Sequence, residues 1–240
     1  MNPSGNVDDS LDLMRKLIEY RQQKALHHQL MKTAERSMLG VDAIVMLYHC
    51  AKVSVGDILE VGSYIGGATI AMAMGVRDSG TEKKIISIER GCRVDHPRIG
   101  TKDSFKDLKK NLKRFGFIDQ VTLINAPSFD PITIAMVREL SGPRQIGLFV
   151  FDAGANLQRD INCYSDRFAD RCWMVIDDYL GGANKSERLR MQVDELVSAG
   201  RLEPMGFYGF GTWIGRWLIH LIAISSSALL TYGDVLSSEI

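Results

Sequence analysis

The sequence predicts an α/β fold in which a mostly parallel sheet is covered by helices on both faces. Segments typical of strands and of helices alternate at short spacing along the chain. The strands predicted over 57–61, 145–152 and 172–177 are apolar almost throughout, as strands are when both of their faces are buried. With 240 residues, of which 45% are hydrophobic, the chain is long enough for one large domain with a well-buried core.

The N-terminal part of the chain is predicted to be helical. Apolar residues at three- and four-residue spacing predict a helix over 10–38, with Ser10 as its N-cap. A second helix is predicted over 41–52. We therefore divide the chain into an N-terminal helical extension, 1–52, and a main domain, 53–240.

In the main domain, strands and helices follow one another in order. The predicted strands cover residues 57–61, 84–89, 120–124, 145–152, 172–177, 202–207 and 212–221. The predicted helices cover residues 68–76, 105–115, 131–140, 161–169 and 186–199. Gly200 is placed to end the last helix, because glycine is common just after a helix C-terminus. The helix over 105–115 is basic and amphipathic, which is typical of a surface helix.

Composition and charge argue against several classes of protein. Lysine plus arginine and aspartate plus glutamate both number 29, so the net charge of zero gives no basic surface for bulk nucleic-acid binding and little repulsion between copies. The four cysteines lack C-x-x-C spacing and are expected to be reduced thiols in a cytoplasmic protein. The apolar run 217–224, which contains His220, is too short to span a bilayer. We expect no nucleic-acid partner and no membrane.

A glycine-rich turn follows the first predicted strand, in the stretch ILEVGSYIGGATIAMA. Free backbone N–H groups and the helix dipole make such a strand-to-helix turn a binding site for anions or nucleotides. Glu60, Gly62 and Gly66 give the order E-x-G-x-x-x-G, which differs from the G-x-G-x-x-G of dinucleotide-binding turns. A carboxylate before the first glycine favours a ligand that carries positive charge.

The other candidate site residues lie at strand ends, where doubly wound sheets bind their ligands. Glu89 closes the second strand, and a carboxylate there offers two acceptors to the hydroxyls of a ribose. Ser128 follows the third strand, where an adenine ring would be flanked. Asp152 ends the fourth strand, and Asp177 and Asp178 end the fifth.

The stretches ILEVGSYIGGATIAMA, IISIER, LFVFDAGAN, MVIDDY and GFGTWIGRW occur in this order between about residue 40 and residue 217. Together they resemble the class I S-adenosylmethionine (SAM) methyltransferases, and among them the small metal-associated O-methyltransferases. This group includes catechol, macrolide-sugar and cephalosporin-tailoring relatives. The resemblance implies a Rossmann-like, doubly wound sheet of seven strands, the last of them antiparallel. It assigns cofactor binding to Glu60, Gly62, Ser63, Gly66, Glu89, Arg90, Ser128 and Asp152.

Asp152, Asp177 and Asp178 are predicted to bind a divalent metal. Three carboxylates at the ends of adjacent strands repel one another unless a cation neutralises them, and hard oxygen ligands suit Mg²⁺ or a similar ion. In the metal-dependent relatives an Asp after strand four and an acidic pair after strand five hold the ion, which implies catalytic roles for Asp152 and Asp178. In the alternative, Asp177 or Asp178 caps the next loop and Asp152 contacts only the cofactor.

One departure from the relatives leaves the general base unassigned. Several sugar and antibiotic relatives have a histidine three residues after the strand-four Asp, and Ala155 stands there in this chain. His96 is a loop alternative, and Arg159 and Lys185 are electrostatic alternatives.

The predicted function is methyl transfer to a hydroxyl of a small metabolite such as a sugar or natural-product scaffold, assisted by a divalent ion. A catalytically silent protein or a non-methylating, oxygenase-like enzyme of the same fold stays open. The E-x-G-x-x-x-G order argues against a dinucleotide oxidoreductase. The apolar N-terminal stripe and the late aromatic residues indicate a homo-oligomer.

Overall fold

The computed structural model describes residues 3–181 and 184–219 and contains one seven-stranded sheet. The strands are β1 (Asp57–Val61), β2 (Ile85–Ile88), β3 (Val121–Ile124), β4 (Ile146–Phe151), β5 (Phe168–Ile176), β6 (Leu202–Tyr208) and β7 (Thr212–Trp217). The helices are α1 (Pro3–Gln22), α2 (Lys24–Ala34), α3 (Val41–Val53), α4 (Gly67–Ser79), α5 (Ser104–Phe115), α6 (Pro131–Leu140), α7 (Leu157–Tyr164) and α8 (Asn184–Ser198). No helix within these residues is long and apolar enough to cross a membrane.

The strand order is β3-β2-β1-β4-β5-β7-β6. The pairs from β3 to β5 are parallel, and β7 runs antiparallel to both of its neighbours. Two apolar cores lie on opposite faces of the sheet, one shared with α3 and α4 and the other with α7 and α8. The predicted Rossmann-like, doubly wound sheet with an antiparallel last strand is therefore confirmed.

The N-terminal helices pack on the same core as α4. Leu30 on α2 is fully buried, and α3 lies so close to α4 that a Cβ added to Gly75 would meet the Tyr48 carbonyl oxygen at 2.3 Å. The division at residues 52 and 53 stays a prediction, although these contacts join α3 closely to the main domain.

Two predicted helices depart most from their bounds in the structure, and the others agree within three residues at each end. The helix over 10–38 is in fact two helices, because the chain breaks at Gln23, whose φ of −78° and ψ of 77° lie outside the helical region. The first of them begins at Pro3, so Ser10 lies inside α1 and is not its N-cap. The helix over 161–169 begins earlier, because the Asn156 side chain accepts the Arg159 N–H and caps α7. Phe168 already belongs to β5, where it packs against Phe149. Of the strand predicted over 212–221, residues 220 and 221 lie outside the described residues, as does the C-terminal tail.

Candidate active site

The carboxyl ends of the central strands surround one cavity of about 450 Å³. Its lining includes five of the eight predicted cofactor residues: Gly62, Glu89, Arg90, Ser128 and Asp152. The other three, Glu60, Ser63 and Gly66, do not line it. A larger groove of about 740 Å³ lies at the opposite end of the strands, beside the first residues of β1, β2 and β3, and contains none of the predicted site residues.

The sheet register explains why residues from three strands meet at this cavity. Val61 pairs with Phe151, and Phe151 pairs with Ile176, so the residues that follow each of them are neighbours. Asp152 N–H donates to the Val61 carbonyl at 2.9 Å, and Asp177 N–H donates to the Phe151 carbonyl at 3.0 Å. The parallel ladder thus continues one residue beyond the strands and fixes the backbone of both aspartates.

Glycine is required in the turn because another strand end lies against it. Gly62 has a φ of +90°, and a Cβ at this position would lie 2.0 Å from the Asp152 carbonyl oxygen. Gly66 has a φ of +92° and caps the N-terminus of α4. Left-handed backbone of this kind costs little only in glycine. The turn therefore brings backbone, rather than side chains, to the cavity wall beside Asp152.

Glu60 lies behind this turn and is fully buried. Its Oε2 accepts hydrogen bonds from the hydroxyls of Thr69 at 2.7 Å and Ser87 at 2.8 Å. Its Oε1 has no hydrogen-bond partner among the residues that the structure describes. Burial raises the pKa of Glu60 to about 7, although hydrogen bonds from Thr69, Ser87 and Ser63 oppose the shift. A cation reaching Oε1 would favour the ionised form.

Glu89 closes β2 at the cavity and is almost completely buried. Its Oε2 accepts the Tyr64 N–H at 2.8 Å, and its Oε1 accepts the Gly91 N–H and the Ser104 hydroxyl, both at 2.9 Å. Because each carboxylate oxygen has two lone pairs, Oε2 retains one for a ligand. The next residue, Arg90, is exposed at the cavity rim.

Ser128 belongs to a buried network that sequence analysis missed. Its hydroxyl donates to Oδ1 of Asp160, which is fully buried and pairs with Arg159 at 2.8 Å. The Arg159 guanidinium lies 3.8 Å from the ring centre of Phe129, whose side chain is 48% exposed at the cavity. Asp160 stands 32 positions from Ser128, so no local pattern in the sequence relates them.

The three predicted metal ligands come together at the end of β4 and β5. Asp152, Asp177 and Asp178 each offer a carboxylate oxygen within 4.8 Å of the others. Burial raises the pKa of Asp152 well above its usual range, and the neighbouring Asp177 carboxylate raises it further. The Thr212 hydroxyl donates to Asp177 Oδ1 at 2.7 Å, while the Lys185 ammonium donates to Asp178 Oδ2. Lys185 also lines the cavity.

Histidine does not line the cavity in the described part of the chain. His96 lies in the loop after β2, where its Nδ1 accepts backbone N–H groups of Arg98 and Ile99. His49 is buried and bonded to the Tyr20 hydroxyl at 2.9 Å, and burial lowers its pKa to about 4. Ala155 stands at the position where some relatives have histidine. His220 lies outside the described residues.

Comparison with known families shows to which family the chain belongs. Residues 59–179 match the sequence profile of a family described as "Methyltransferase domain". The chain belongs to this methyltransferase family. The prediction of a class I SAM-dependent methyltransferase is thereby confirmed. No curated protein sequence matches the chain.

Solved structures share the fold of this methyltransferase. The O-methyltransferase NovP is 14% identical, with a TM-score of 0.59 over 77% of this chain and 83% of that one. The SAH-bound methyltransferase PaMTH1 of Podospora anserina is 16% identical, with a TM-score of 0.57 over 86% and 88%. An O-methyltransferase from Bacillus cereus in complex with SAH is 13% identical, with a TM-score of 0.54 over 85% and 91%. At these identities the similarity extends to the fold alone.

Proposed function

We propose that this methyltransferase transfers the methyl group of SAM to a hydroxyl of a small metabolite, with a divalent cation bound by Asp152, Asp177 and Asp178. The observation that carries the proposal is the convergence of three carboxylates beside a cavity that also contains Glu89 and Gly62. The names of NovP and the Bacillus cereus protein, both O-methyltransferases, point the same way.

The residues around the cavity suit SAM. Glu60 lies behind the glycine turn and does not line the cavity, but its buried Oε1 has no partner in the described chain, and a cationic ligand that reached it would satisfy it. Gly62 brings backbone to the cavity wall, and Glu89 offers a free lone pair to a ribose hydroxyl. Ser128, held by Asp160, and the exposed Phe129 ring form the wall assigned to adenine.

The donor set of the aspartates also suits a hard divalent cation. All three candidate ligands are carboxylates. Burial raises the pKa of Asp152 and of Asp177, and the neighbouring carboxylates add to the shift, so a bound cation would favour their ionised forms. A bound divalent ion would lower the pKa of the acceptor hydroxyl and hold its oxygen. Thr212 fixes the orientation of Asp177, and the buried backbone of Asp152 keeps its carboxylate at the cavity.

The acceptor is proposed to be an acidic hydroxyl, such as that of a catechol or enol, or a hydroxyl on a sugar or natural-product scaffold. The lack of a histidine in the described cavity supports the acidic hydroxyl, because a catechol or enol ionises on a metal without a strong base.

We further propose a homo-oligomer formed through the outer face of α1. Met14 and Ile18 are 57% and 61% exposed, and with Leu17 and Phe207 they line a groove of about 470 Å³ between α1 and the β6–β7 hairpin. Two copies would bury this apolar surface. A cytoplasmic location is supported by the four cysteines, all of which are free thiols.

The second candidate is a protein of the same fold that binds SAM without transferring its methyl group, or an oxygenase-like enzyme. The specific observation that favours it is the combination of Ala155 in place of a histidine and a lysine ammonium on Asp178. Such a protein would bind SAM or SAH but would give no methyl transfer, and the oxygenase-like form would consume oxygen.

Calorimetric titration of SAM into the purified protein, first with Mg²⁺ and then with EDTA, tests the cofactor part. Transfer of labelled methyl groups to a panel of catechols, enols and sugars, repeated with EDTA, tests the reaction and the metal. SAM binding with chelator-sensitive transfer supports the full proposal. If EDTA leaves methyl transfer unchanged, the part of the proposal that assigns a divalent cation is wrong. Binding without any transfer favours the second candidate, and no binding overturns both.

A further inference from the structure

Positive charge is concentrated in one stretch of this otherwise neutral chain. Residues 90–114 contain nine lysines and arginines against three aspartates, whereas the whole chain has equal numbers of both charges. The stretch comprises the loop after β2 and the helix α5. Of these nine cations only Arg90 lines the cofactor cavity, and the other eight have no part in the reaction proposed above.

Most of this charge lies on one side of α5. At 100° per residue, the helical cations fall within an arc of roughly 140° and extend over about 12 Å of the helix axis. Lys106, Lys109, Lys110, Lys113 and Arg114 form this basic face of α5, and Lys102 precedes it. All six side chains are exposed, and none forms an ion pair in the described part of the chain. The opposite side of α5 is buried through Leu108 and Leu112.

The basic face destabilises the helix that carries it. Like charges three or four residues apart repel, and Lys106–Lys110, Lys109–Lys113 and Lys110–Arg114 are all such pairs. Lys113 and Arg114 lie in the last turn, where the helix dipole favours them, but Lys106 lies in the first turn, where it does not. The Lys109 ammonium lies 4.6 Å from the ring centre of Phe105, and this is the one ring contact or hydrogen bond that the side chains of the face make within the described part of the chain. The fold thus leaves most of this charge without a structural role, which points to a role outside the chain.

The face begins beside the mouth of the cofactor cavity. The Ser104 hydroxyl, at the start of α5, donates to Glu89 Oε1, and it accepts the Cys92 N–H at 2.8 Å. Arg90, Cys92 and Val94 line the cavity itself. A partner bound on the basic face would therefore lie next to the entrance of the site.

We propose that the basic face of α5 binds an acidic surface of another protein, of the size of one acidic helix. Its charges are nearly all lysine, whereas the planar fork of arginine is preferred for phosphate and nucleic acid. The face also has no fully exposed aromatic ring for stacking bases. Insertion into a membrane would require the apolar side of α5, which Leu108 and Leu112 commit to the core. A contact of this kind is weak, fast and sensitive to salt.

Fluorescence anisotropy with a labelled, glutamate-rich helical peptide tests the proposal. The full-length protein is compared with Lys106→Gln/Lys109→Gln/Lys113→Gln and with the matched control Lys24→Gln/Lys32→Gln/Arg188→Gln, which removes three exposed cations elsewhere. A labelled DNA duplex and phosphatidylserine vesicles serve as competing probes. Thermal melting of both variants confirms folding, and the α5 variant is expected to melt no lower than the control because it relieves repulsion.

We expect the peptide to bind at low salt, to weaken as salt rises, and to lose about tenfold in affinity in the α5 variant but not in the control. Equal loss in both variants, or no loss in either, would overturn the proposal. So would tighter binding of the duplex or the vesicles through the same three lysines, which would identify a nucleic-acid or membrane surface. Failure of the peptide to bind at low salt would overturn it as well. None of these results depends on SAM binding or methyl transfer.

Discussion

The ammonium of Lys185 donates a hydrogen bond to Oδ2 of Asp178, within the group of three carboxylates that forms the candidate metal site. Lys185 lies in the first turn of α8, seven positions after Asp178. The chain thus already supplies one positive charge to a cluster of three aspartates. An ammonium and a divalent ion would compete for the same carboxylate, because both are cations that bind through its oxygens.

Removal of this competitor is expected to tighten metal binding. Lys185→Met should lower the dissociation constant for Mn²⁺ by about tenfold, which corresponds to about 1.4 kcal/mol. Electron paramagnetic resonance of free Mn²⁺ measures it directly, without a substrate. Arg188→Met, on an exposed position of the same helix, is the control and should leave the constant unchanged. Equal affinity in all three proteins would show that Lys185 does not compete.

Loss of one carboxylate should weaken metal binding without weakening cofactor binding. Asp177 does not line the cavity but contributes to the acidic group, so Asp177→Asn is expected to weaken Mn²⁺ binding by at least about tenfold and to leave the affinity for SAH within about twofold. Thr212→Val, which removes only the hydrogen bond to Asp177, should have a smaller effect on the metal. A large loss of SAH affinity in Asp177→Asn would contradict this division of roles.

Regular elements with sharp boundary signals were predictable from sequence. The strand over 57–61 and the helix over 131–140 have the predicted bounds in the structure, because glycines flank the first and Asp130 with Pro131 starts the second. The break at Gln23 was not predictable, since neither glycine nor proline marks it and the apolar spacing continues past it.

Contacts between side chains from different segments were harder to predict than the positions at which strands end. The meeting of Asp152 with Asp177 follows from parallel register, which the sequence pattern indicates. The burial of Glu60 beneath the turn and the support of Ser128 by Asp160 do not follow, because each depends on packing between segments far apart in the chain. The absence of the relatives' histidine could be read from the sequence, because Ala155 stands at its position. The structure does not supply another histidine among the described lining residues.

The carboxylate of Glu89 should matter more than the groups that hold it. Glu89→Gln keeps the size of the side chain but removes the charge and one acceptor oxygen, and it is expected to weaken SAH binding by about ten- to a hundredfold. Ser104→Ala removes one donor to Oε1 and leaves the carboxylate in place, so it should cost less than about tenfold. Calorimetry measures both. A greater loss in Ser104→Ala than in Glu89→Gln would mean that the loop, not the carboxylate, carries the affinity.

A side chain at Gly62 is expected to destabilise the fold. In Gly62→Ala the Cβ would lie 2.0 Å from the Asp152 carbonyl oxygen, in addition to the strain of a φ of +90°, and the cost should be about 3 kcal/mol or more. Gly80→Ala is a matched control, because its φ is +67° and its Cβ would meet no atom within 4 Å. It should cost only about 1 kcal/mol. Urea unfolding of both variants measures the difference, and similar values would show that the turn can move away from Asp152.

The buried carboxyl of Glu60 should make the free protein less stable as pH rises. Its pKa is raised from the usual 4.5 to about 7, so the folded state retains a proton between these values that the unfolded state has lost. Below pH 4.5 both states are protonated and Glu60 costs nothing, whereas above pH 7 both are ionised and the full penalty of about 3 kcal/mol applies. Glu60→Gln should therefore remove a decline in unfolding free energy between pH 5 and pH 7.5, relative to wild type.

Other buried acids, Asp152 among them, contribute a decline of the same sign, so the wild-type slope alone cannot be assigned to Glu60. The difference between wild type and Glu60→Gln isolates it, and Glu82→Gln, at an exposed position, is the control that should retain the wild-type slope. If SAM places its positive charge at the unpartnered Oε1, saturating SAM should flatten the wild-type profile because it stabilises the ionised form. A profile that SAM shifts upward without flattening would place the cationic part of the cofactor away from Glu60.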